Sequence, residues 1–360
     1  MSSALVAPVV NAPASAGMRV AWLAALLLAL ALLGLALGAS VGSTGFDSLL
    51  RARHDPAAWQ IVWDIRLPRT LGAWLAGALL GLAGAVAQGL FRNPLADPFL
   101  LGSASGAALA VALVFAVLGA GGMVGGGASS AALAQLASPV LARLGFTGAA
   151  FVGALAGVLL ALVLAHGVQQ TLRLLLAGVI VGYVLGAVRD LVQLANPDVL
   201  VAMQGFTLGV TGFVGWGACA LMAAVLAPLV LAAWAMARVL DALALGEATA
   251  HSLGLPLAPL RALLIGVLAL ATGAAVAQTG LIGFVGLVAP HLARSLARCT
   301  HGPLLLLATL VGGLLLMAAD IAARVLIAPQ ELPVGVLTAV LGGFYLLWLM
   351  HRRTQPDAGT

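Results

Sequence analysis

The chain has 360 residues, of which 63% are hydrophobic and only 8% are charged. A soluble domain of this length needs far more polar surface to cover its core, so the composition excludes an ordinary globular fold. Repeated apolar runs of about 20 residues instead indicate an all-α integral membrane protein with about ten transmembrane helices. We expect one membrane domain over residues 20–353, a disordered tail at 1–19 and a short tail at 354–360.

Charge and cysteine content exclude several function classes. All 16 basic residues are arginine, and a Walker A loop needs a lysine to reach the nucleotide phosphates. ATP hydrolysis would therefore belong to a separate subunit, and we expect no catalytic residue in this chain. Arginines scattered between apolar spans favour charge that orients the chain in a lipid bilayer over nucleic-acid binding. Cys219 and Cys299 are isolated and lack metal-ligand spacing, so we expect neither a disulfide nor a metal.

The apolar pattern predicts a first helix at 20–39 and an outside loop at 41–64. Further helices are predicted at 70–91, 99–123, 149–167, 172–194, 213–238, 260–280, 282–298, 303–327 and 334–350. Glycine pairs four residues apart are typical of helices that pack closely in lipid. They occur here at Gly34/Gly38, Gly77/Gly81, Gly102/Gly106, Gly153/Gly157 and Gly182/Gly186.

One stretch interrupts the apolar pattern sharply: QGLFRNPLADPFLLGSASG at 88–106. Pro94 and Pro98 each remove a backbone donor, and they bias Asn93 and Asp97 away from the helical conformation. One helix should end near Phe91, and the next should begin just past Pro98. A break at membrane depth is tolerated only where it is buried in protein or lines a watery cavity. A plain loop between two spans is the alternative.

Several long motifs, taken together, resemble the FecCD-type permease family, which imports ferric siderophores, haem and vitamin B12. They are IRLPRTLGAWLAGALLGLAGAVAQGLFRNPLADPFLLG, RLLLAGVIVG, LALGEATAHSLGLP, GLIGFVGLVAPHLAR, and ADIAAR followed by ELPVGVLTAVLGG. These motifs occur in family order between about Trp63 and Arg352. The resemblance implies the permease fold of a type II ABC importer with related halves. The recurrence of AVAQ at 85–88 and 275–278 agrees with inverted repeats.

The same resemblance implies an assembly. It consists of a homodimer of this chain, two ATP-binding subunits on the cytoplasmic face and a periplasmic substrate-binding protein. ATP and Mg²⁺ would be used by the partner ATPase, and no cofactor is expected on this chain. The implied location is the inner membrane, with both termini in the cytoplasm.

The resemblance also implies roles for individual residues. Asn93 and Leu95 match the cytoplasmic gate, where the loops of two copies meet. Arg66, Arg69 and Arg324 lie in motifs whose arginines meet carboxylates of the docked binding protein, a pairing that suits the guanidinium group. Interfacial snorkelling of these arginines is the alternative.

A second set is expected to contact the ATPase. It falls in the coupling segment, at about 240–261, and consists of Gly246, Glu247, Ala250 and Leu253. A plain linker is the alternative for this segment. Arg189, next to Asp190 near the outer end of a span, is a candidate contact for an anionic substrate group, although the two residues could simply pair with each other.

The leading hypothesis is therefore the permease subunit of an ATP-driven importer that moves haem or a ferric siderophore from periplasm to cytoplasm. A vitamin B12 permease of the same family is the alternative. An ion-driven secondary transporter usually needs carboxylates or broken-helix ion sites near the midplane. Most of the predicted spans lack an acidic residue, which disfavours that class. An intramembrane enzyme would need a nucleophile–base or metal constellation, and none is evident.

Overall fold

The computed structural model describes residues 14–42, 45–46, 55–118, 139–168 and 171–353. The predicted tail at 354–360 lies outside these residues, as does most of the predicted tail at 1–19. Apart from a small hairpin, β1 (Val41–Gly42) paired antiparallel with β2 (Gly45–Phe46), the regular structure of the described residues is helical.

The helices of the first half are α1 (Ala14–Ser40), α2 (Pro56–Ile61), α3 (Leu67–Leu90), α4 (Ser103–Leu118), α5 (Pro139–Leu164) and α6 (Thr171–Ala195). A π-helical turn at Val62–Arg66 joins α2 to α3, and a 3₁₀ turn at Pro98–Leu101 precedes α4.

The helices of the second half are α7 (Pro197–Leu208), α8 (Trp216–Ala235), α9 (Ala237–Ala244), α10 (Glu247–Ser252), α11 (Leu257–Thr279), α12 (Val285–Leu296), α13 (His301–Val325) and α14 (Val334–Arg353).

Every predicted span corresponds to a helix, and the all-α membrane architecture is confirmed. Seven helices among the described residues are long and apolar enough to cross a membrane. Two others, α4 and α14, have apolar stretches of 10–17 residues. α12 has only 12 residues, about 18 Å of helix, and cannot cross a hydrocarbon core of about 30 Å by itself.

The structure corrects three expectations. Part of the predicted loop at 41–64 is helical, because Asp55 caps α2 by accepting a hydrogen bond from the Ala57 N–H at 3.0 Å. From there the chain stays helical through the π-turn into α3. The first helix begins at Ala14 instead of residue 20. Gly102 lies before α4 in the left-handed conformation, with φ of 79°.

α3 is the most buried of the spanning helices and lies at the centre of the bundle. All of its residues except Leu67, Leu71 and Trp74 are buried. A Cβ atom at Gly77 or Gly81 would overlap backbone carbonyls of α13, and one at Gly84 would overlap the Gly286 carbonyl of α12. These glycines therefore allow direct backbone contact, as helix packing in lipid requires.

A second glycine contact joins α4 to α5. A Cβ atom at Gly106 would overlap the Gly153 carbonyl, and one at Gly157 would meet the Gly102 carbonyl at 2.6 Å. By contrast, a Cβ atom at Gly186 of α6 would have no atom within 4 Å. The glycine pairs thus serve tight packing, as predicted, except for Gly182/Gly186, which lie where there is room.

The bundle has two ends, which we name after one residue each. The Arg69 end holds the start of α3, the end of α13 and the start of α14. The Asn93 end holds the loop after α3, the short helices α9 and α10, and the starts of α11 and α13. α3 and α11 run in opposite directions, and Gln88 and Gln278 of the repeated AVAQ sequence lie near their respective C-terminal ends.

Replacing Gly84 with alanine should destabilise the protein, because a new methyl group must displace the α12 backbone. Overpacking of this kind costs about 1–3 kcal/mol. Gly266→Ala in α11 is the matched control, since a Cβ atom there meets nothing within 4 Å. Thermal unfolding of the two detergent-solubilised variants is the measurement. Equal midpoints would contradict direct backbone contact at Gly84.

Candidate functional site

A buried carboxylate organises the Arg69 end. Asp320 of α13 is 0% exposed. Its Oδ1 accepts hydrogen bonds from Arg69 Nε at 3.0 Å and from the Thr211 hydroxyl at 2.5 Å, and its Oδ2 accepts one from Arg324. Arg69 Nη1 also pairs with Glu331 Oε2 at 2.8 Å. We name these five residues the Asp320 cluster.

Arg324 extends this cluster to a third helix. Its guanidinium donates to the Gly38 carbonyl of α1 at 2.9 Å and to the Thr70 hydroxyl of α3 at 3.0 Å. Asp320 and Arg324 form an i,i+4 ion pair on α13. Two arginines and two carboxylates balance in charge, which a cluster withdrawn from water requires. The cluster ties together the ends of α1, α3 and α13.

The three arginines predicted to meet a docked protein therefore lie close together, and all three are largely buried. Arg66 and Arg69 are each 9% exposed, and Arg324 is 1% exposed. A surface contact by Arg324 does not fit this placement, because its guanidinium bonds to groups within the chain. Sequence reasoning missed Thr211 and Glu331 as partners, since nothing in their local patterns links them to residues over 100 positions away.

The loop after α3 at the Asn93 end, residues 91–97, is locally rigid. Asn93 Oδ1 accepts a hydrogen bond from the Leu95 N–H at 2.9 Å, and Asp97 Oδ1 accepts one from the Phe99 N–H at 2.8 Å. Each of these two residues precedes a proline, so both turns have fixed backbone angles. The loop presents Leu95, which is 50% exposed, outward from the bundle.

Gln88 connects this loop region to α12. Its amide donates to the Leu287 carbonyl at 3.0 Å, and its carbonyl accepts from Arg294 Nη1 at 2.5 Å. A Cβ atom at Gly286 would lie 2.5 Å from Pro98. The short helix α12 therefore contacts the chain both before and after the helix interruption that the sequence predicts.

The predicted coupling segment forms α9 and α10 at the same end. Glu247, the first residue of α10, pairs through Oε1 with Arg92 at 3.2 Å and with Arg261 at 2.8 Å. Gly246, just before it, has φ of 111°, which lets the chain turn into α10. Leu253, just after the helix, is 61% exposed.

Ala250 takes a different position from the one expected. It is 0% exposed and packs α10 against the bundle, so it does not offer a surface to a partner. α9 is anchored in a similar way: Asp241 accepts hydrogen bonds from His301 N at 3.0 Å and pairs with His301 Nδ1 at 2.6 Å. A carboxylate at the N-terminus of α13 also suits the helix dipole.

Arg189, the candidate substrate contact, pairs with its neighbour Asp190 at 2.7 Å near the Arg69 end of α6. Its side chain is 22% exposed and that of Asp190 is 62% exposed. Both cysteines are free thiols, as predicted. Among the described residues no group of three or more His, Cys, Asp or Glu side chains could hold a metal ion.

The protein is a multi-pass helical bundle that has rigid polar turns at one end and a buried ion cluster at the other. This is the architecture of a transporter permease. The model of the FecCD transport family matches residues 26–352, and the chain belongs to that family. It is the membrane-spanning permease subunit of an ABC importer, and the ATPase is a separate protein.

Two relatives and one solved structure agree with this assignment, and a second solved structure has a similar fold. The hemin transport system permease protein HmuU of Yersinia pestis is 38% identical over 330 residues, covering 90% of this chain and 94% of that protein. The vitamin B12 import system permease protein BtuC of Salmonella paratyphi A is 39% identical over 295 residues, covering 82% and 84%.

One solved structure, described as an inward-facing conformation of a metal-chelate type ABC transporter, matches with a TM-score of 0.79 and 26% identity. It covers 92% of this chain and 99% of the other. PsaBC from Streptococcus pneumoniae in complex with Fab matches with a TM-score of 0.55 at 16% identity, covering 83% and 94%. The latter shows a similar fold only.

Asp320→Asn should destabilise the protein strongly, because it leaves two buried arginines with a single carboxylate between them. Breaking a buried ion pair costs about 3–5 kcal/mol. Asp190→Asn is the control: it breaks an exposed pair, which is worth about 0–1 kcal/mol. Thermal unfolding of both variants in detergent gives the comparison. Similar midpoints for the two would show that the Asp320 cluster does not stabilise the fold.

Asp97 gives the protein a pH-dependent stability. Burial raises the pKa of Asp97 from 3.8 to about 6, although the hydrogen bond from Phe99 opposes the shift. The folded state therefore holds this proton more tightly than the unfolded chain, and the contribution of Asp97 to stability falls as pH rises from about 4 to about 6. Asparagine keeps the cap and removes the charge.

The difference in unfolding midpoint between Asp97→Asn and the wild type, taken as variant minus wild type, should therefore increase between about pH 4 and pH 6. Above about pH 6 the difference should stay constant. Thermal unfolding across this pH range, with Asp190→Asn in parallel, is the measurement. A difference independent of pH would contradict the assigned burial of the Asp97 carboxyl.

Proposed function

We propose that the cargo of this permease is an iron chelate, either haem or a ferric siderophore, carried from the periplasm to the cytoplasm. The observation that carries the proposal is the extent of the match to HmuU, which is described as a hemin permease and spans 90% of this chain. The structural match described as a metal-chelate type transporter supports it further. The match to BtuC at 39% identity keeps vitamin B12 as the second candidate.

Cargo can be assigned by uptake into proteoliposomes that hold this permease, its ATPase and its binding protein. Haem, a ferric siderophore and cobalamin are compared under the same ATP supply. We expect ATP-dependent uptake of haem or the siderophore, with cobalamin at background. Uptake of cobalamin alone would overturn the iron-chelate proposal and leave the family assignment intact.

We infer that the Asn93 end faces the cytoplasm and the Arg69 end faces the periplasm, with the protein in the inner membrane and both termini in the cytoplasm. The exposed residues of the Asn93 end support this orientation: Leu245 is 70% exposed and Leu253 is 61% exposed, beside the exposed arginines Arg238 and Arg298. An apolar and basic surface around α9 and α10 suits a partner subunit.

In a homodimer of the permease, two ATPase subunits would bind this surface. The contact would involve Leu253 and the outer side of α10, the helix that follows Gly246. Support for the homodimer comes from α6, where a Cβ atom at Gly186 would have no atom within 4 Å and Tyr183 is 78% exposed. A glycine with open space beside it on a spanning helix suits close packing against a second copy.

At the Arg69 end we propose that the binding protein docks over Arg66 and Arg69, with the Asp320 cluster holding the ends of the helices beneath it. Glu331, whose side chain is 34% exposed, brings part of the cluster to the surface. Arg324 contributes by positioning α1 against α3 and α13. Arg189 would meet an anionic group of the cargo once its pairing with Asp190 is exchanged for that contact.

Leu253→Asp should abolish co-purification of the permease with its ATPase, because it places a charge in the centre of an apolar contact. Leu253→Met keeps the contact apolar and is the control. Both variants are co-expressed with the tagged ATPase and captured in detergent. Retention of the aspartate variant at the wild-type level would exclude this surface as the ATPase site.

A further inference from the structure

We propose that Glu247 is the positioning residue through which movement of α10 reaches the loop at 91–97. The inference rests on the proposed role of α10 in binding the ATPase. It adds a physical link between that surface and the loop that carries Leu95.

The link is a single carboxylate oxygen shared by two arginines. Glu247 Oε1 lies 2.8 Å from Arg261 Nη2 and 3.2 Å from Arg92 Nη2. Arg261 belongs to the first turns of α11 and Arg92 to the loop after α3, so one side chain joins three separate elements. Charge-assisted bonds of this kind are stronger than neutral ones.

The two arginines differ in exposure. The Arg261 side chain is 5% exposed, and its Nη1 also donates to the Val168 carbonyl at 3.3 Å. It is therefore a fixed anchor within the bundle. The side chains of Arg92 and Glu247 are 40% and 35% exposed, so the Arg92 contact is the one that can lengthen or break when α10 shifts.

The structure of the loop allows a displacement of Arg92 to be transmitted to its other residues. Its two turns are closed by the Asn93 and Asp97 side chains and stiffened by Pro94 and Pro98. A displacement at Arg92 would therefore move the loop as a unit and carry Leu95 with it. On the other side, Gly246 and Gly254 bound α10 with positive φ angles of 111° and 74°. At these two turns α10 can change its angle while Ala250 stays packed beneath it.

This arrangement predicts how the effects of two substitutions combine. Glu247→Gln and Arg92→Gln both break the Glu247–Arg92 contact, and Glu247→Gln also removes the charge that pairs with Arg261. The double variant should therefore behave like Glu247→Gln, with no added effect from Arg92→Gln. If Glu247 only contacted the ATPase and Arg92 only shaped the loop, the two effects would add.

The experiment uses the permease reconstituted with its ATPase and binding protein. Glu247→Gln, Arg92→Gln, the double variant and Arg298→Gln are compared. Arg298 is an exposed arginine at the same end that makes no ion pair with the described residues. The readouts are co-purification with the ATPase, cargo moved per ATP hydrolysed, and the distance between spin labels at Leu95→Cys in the two copies with and without ATP. Cys219 and Cys299 are replaced in the labelled protein.

We expect Arg92→Gln and Arg298→Gln to co-purify with the ATPase at the wild-type level. Glu247→Gln, Arg92→Gln and the double variant should each lose about fivefold or more in cargo moved per ATP, which is the lower bound of typical coupling between sites. The ATP-dependent change in label distance should shrink in the same three variants and persist in Arg298→Gln.

Loss of ATPase binding in Arg92→Gln, additive effects in the double variant, or an unchanged label response would each overturn the proposal. Arg92→Gln keeps the buried Glu247–Arg261 pair, so it tests the link even if Glu247→Gln does not fold. A wild-type permease that fails to bind the ATPase would refute the proposed function itself, which separates the two outcomes.

Discussion

Direct contact between the backbones of α3 and its neighbours is the constraint on which the rest of this structure depends. In lipid, burying apolar side chains gives no net drive for helices to associate, so close van der Waals contact must hold them together. Gly77, Gly81 and Gly84 let α3 touch the carbonyls of α13 and α12. Because α3 is fixed in this way, its two ends are fixed too: Arg69 enters the Asp320 cluster at one end, and Gln88 binds α12 at the other.

The buried charges at the Arg69 end are consistent with a fixed position of α3. Ions removed from water are costly unless they are paired and hydrogen-bonded. In the Asp320 cluster each carboxylate meets an arginine, and Arg324 also meets carbonyl and hydroxyl groups of α1 and α3. Such a network requires one relative placement of three helix ends. It makes this end a firm platform, whereas the half-exposed Glu247–Arg92 pair at the Asn93 end can rearrange.

Much of the fold could be predicted from the sequence, because long apolar runs and prolines act locally. The positions of the spans, the break at Asn93 and the glycine packing came from such patterns. The start of α2 was missed because Asp55 and Pro56 were read as loop residues, although a capping residue followed by proline is a helix start signal. The length of α12 was missed because apolar periodicity does not reveal where Gly280 and Phe284 take positive φ angles. Pairings such as Arg69 with Glu331, 262 positions apart, depend on tertiary structure and have no local signature.

We propose that α3, fixed by its backbone contacts, presents Leu95 where the loops of two copies meet and control passage. Oxidative cross-linking of Leu95→Cys tests it most directly, in a permease whose Cys219 and Cys299 are replaced by serine. Ala258→Cys, exposed at the same end, serves as the control. The account predicts that the Leu95→Cys complex forms a covalent dimer in the membrane, that ATP-driven uptake then stops, and that reduction restores it. A complex that does not cross-link with or without ATP, or one that transports at full rate while cross-linked, would contradict the claim.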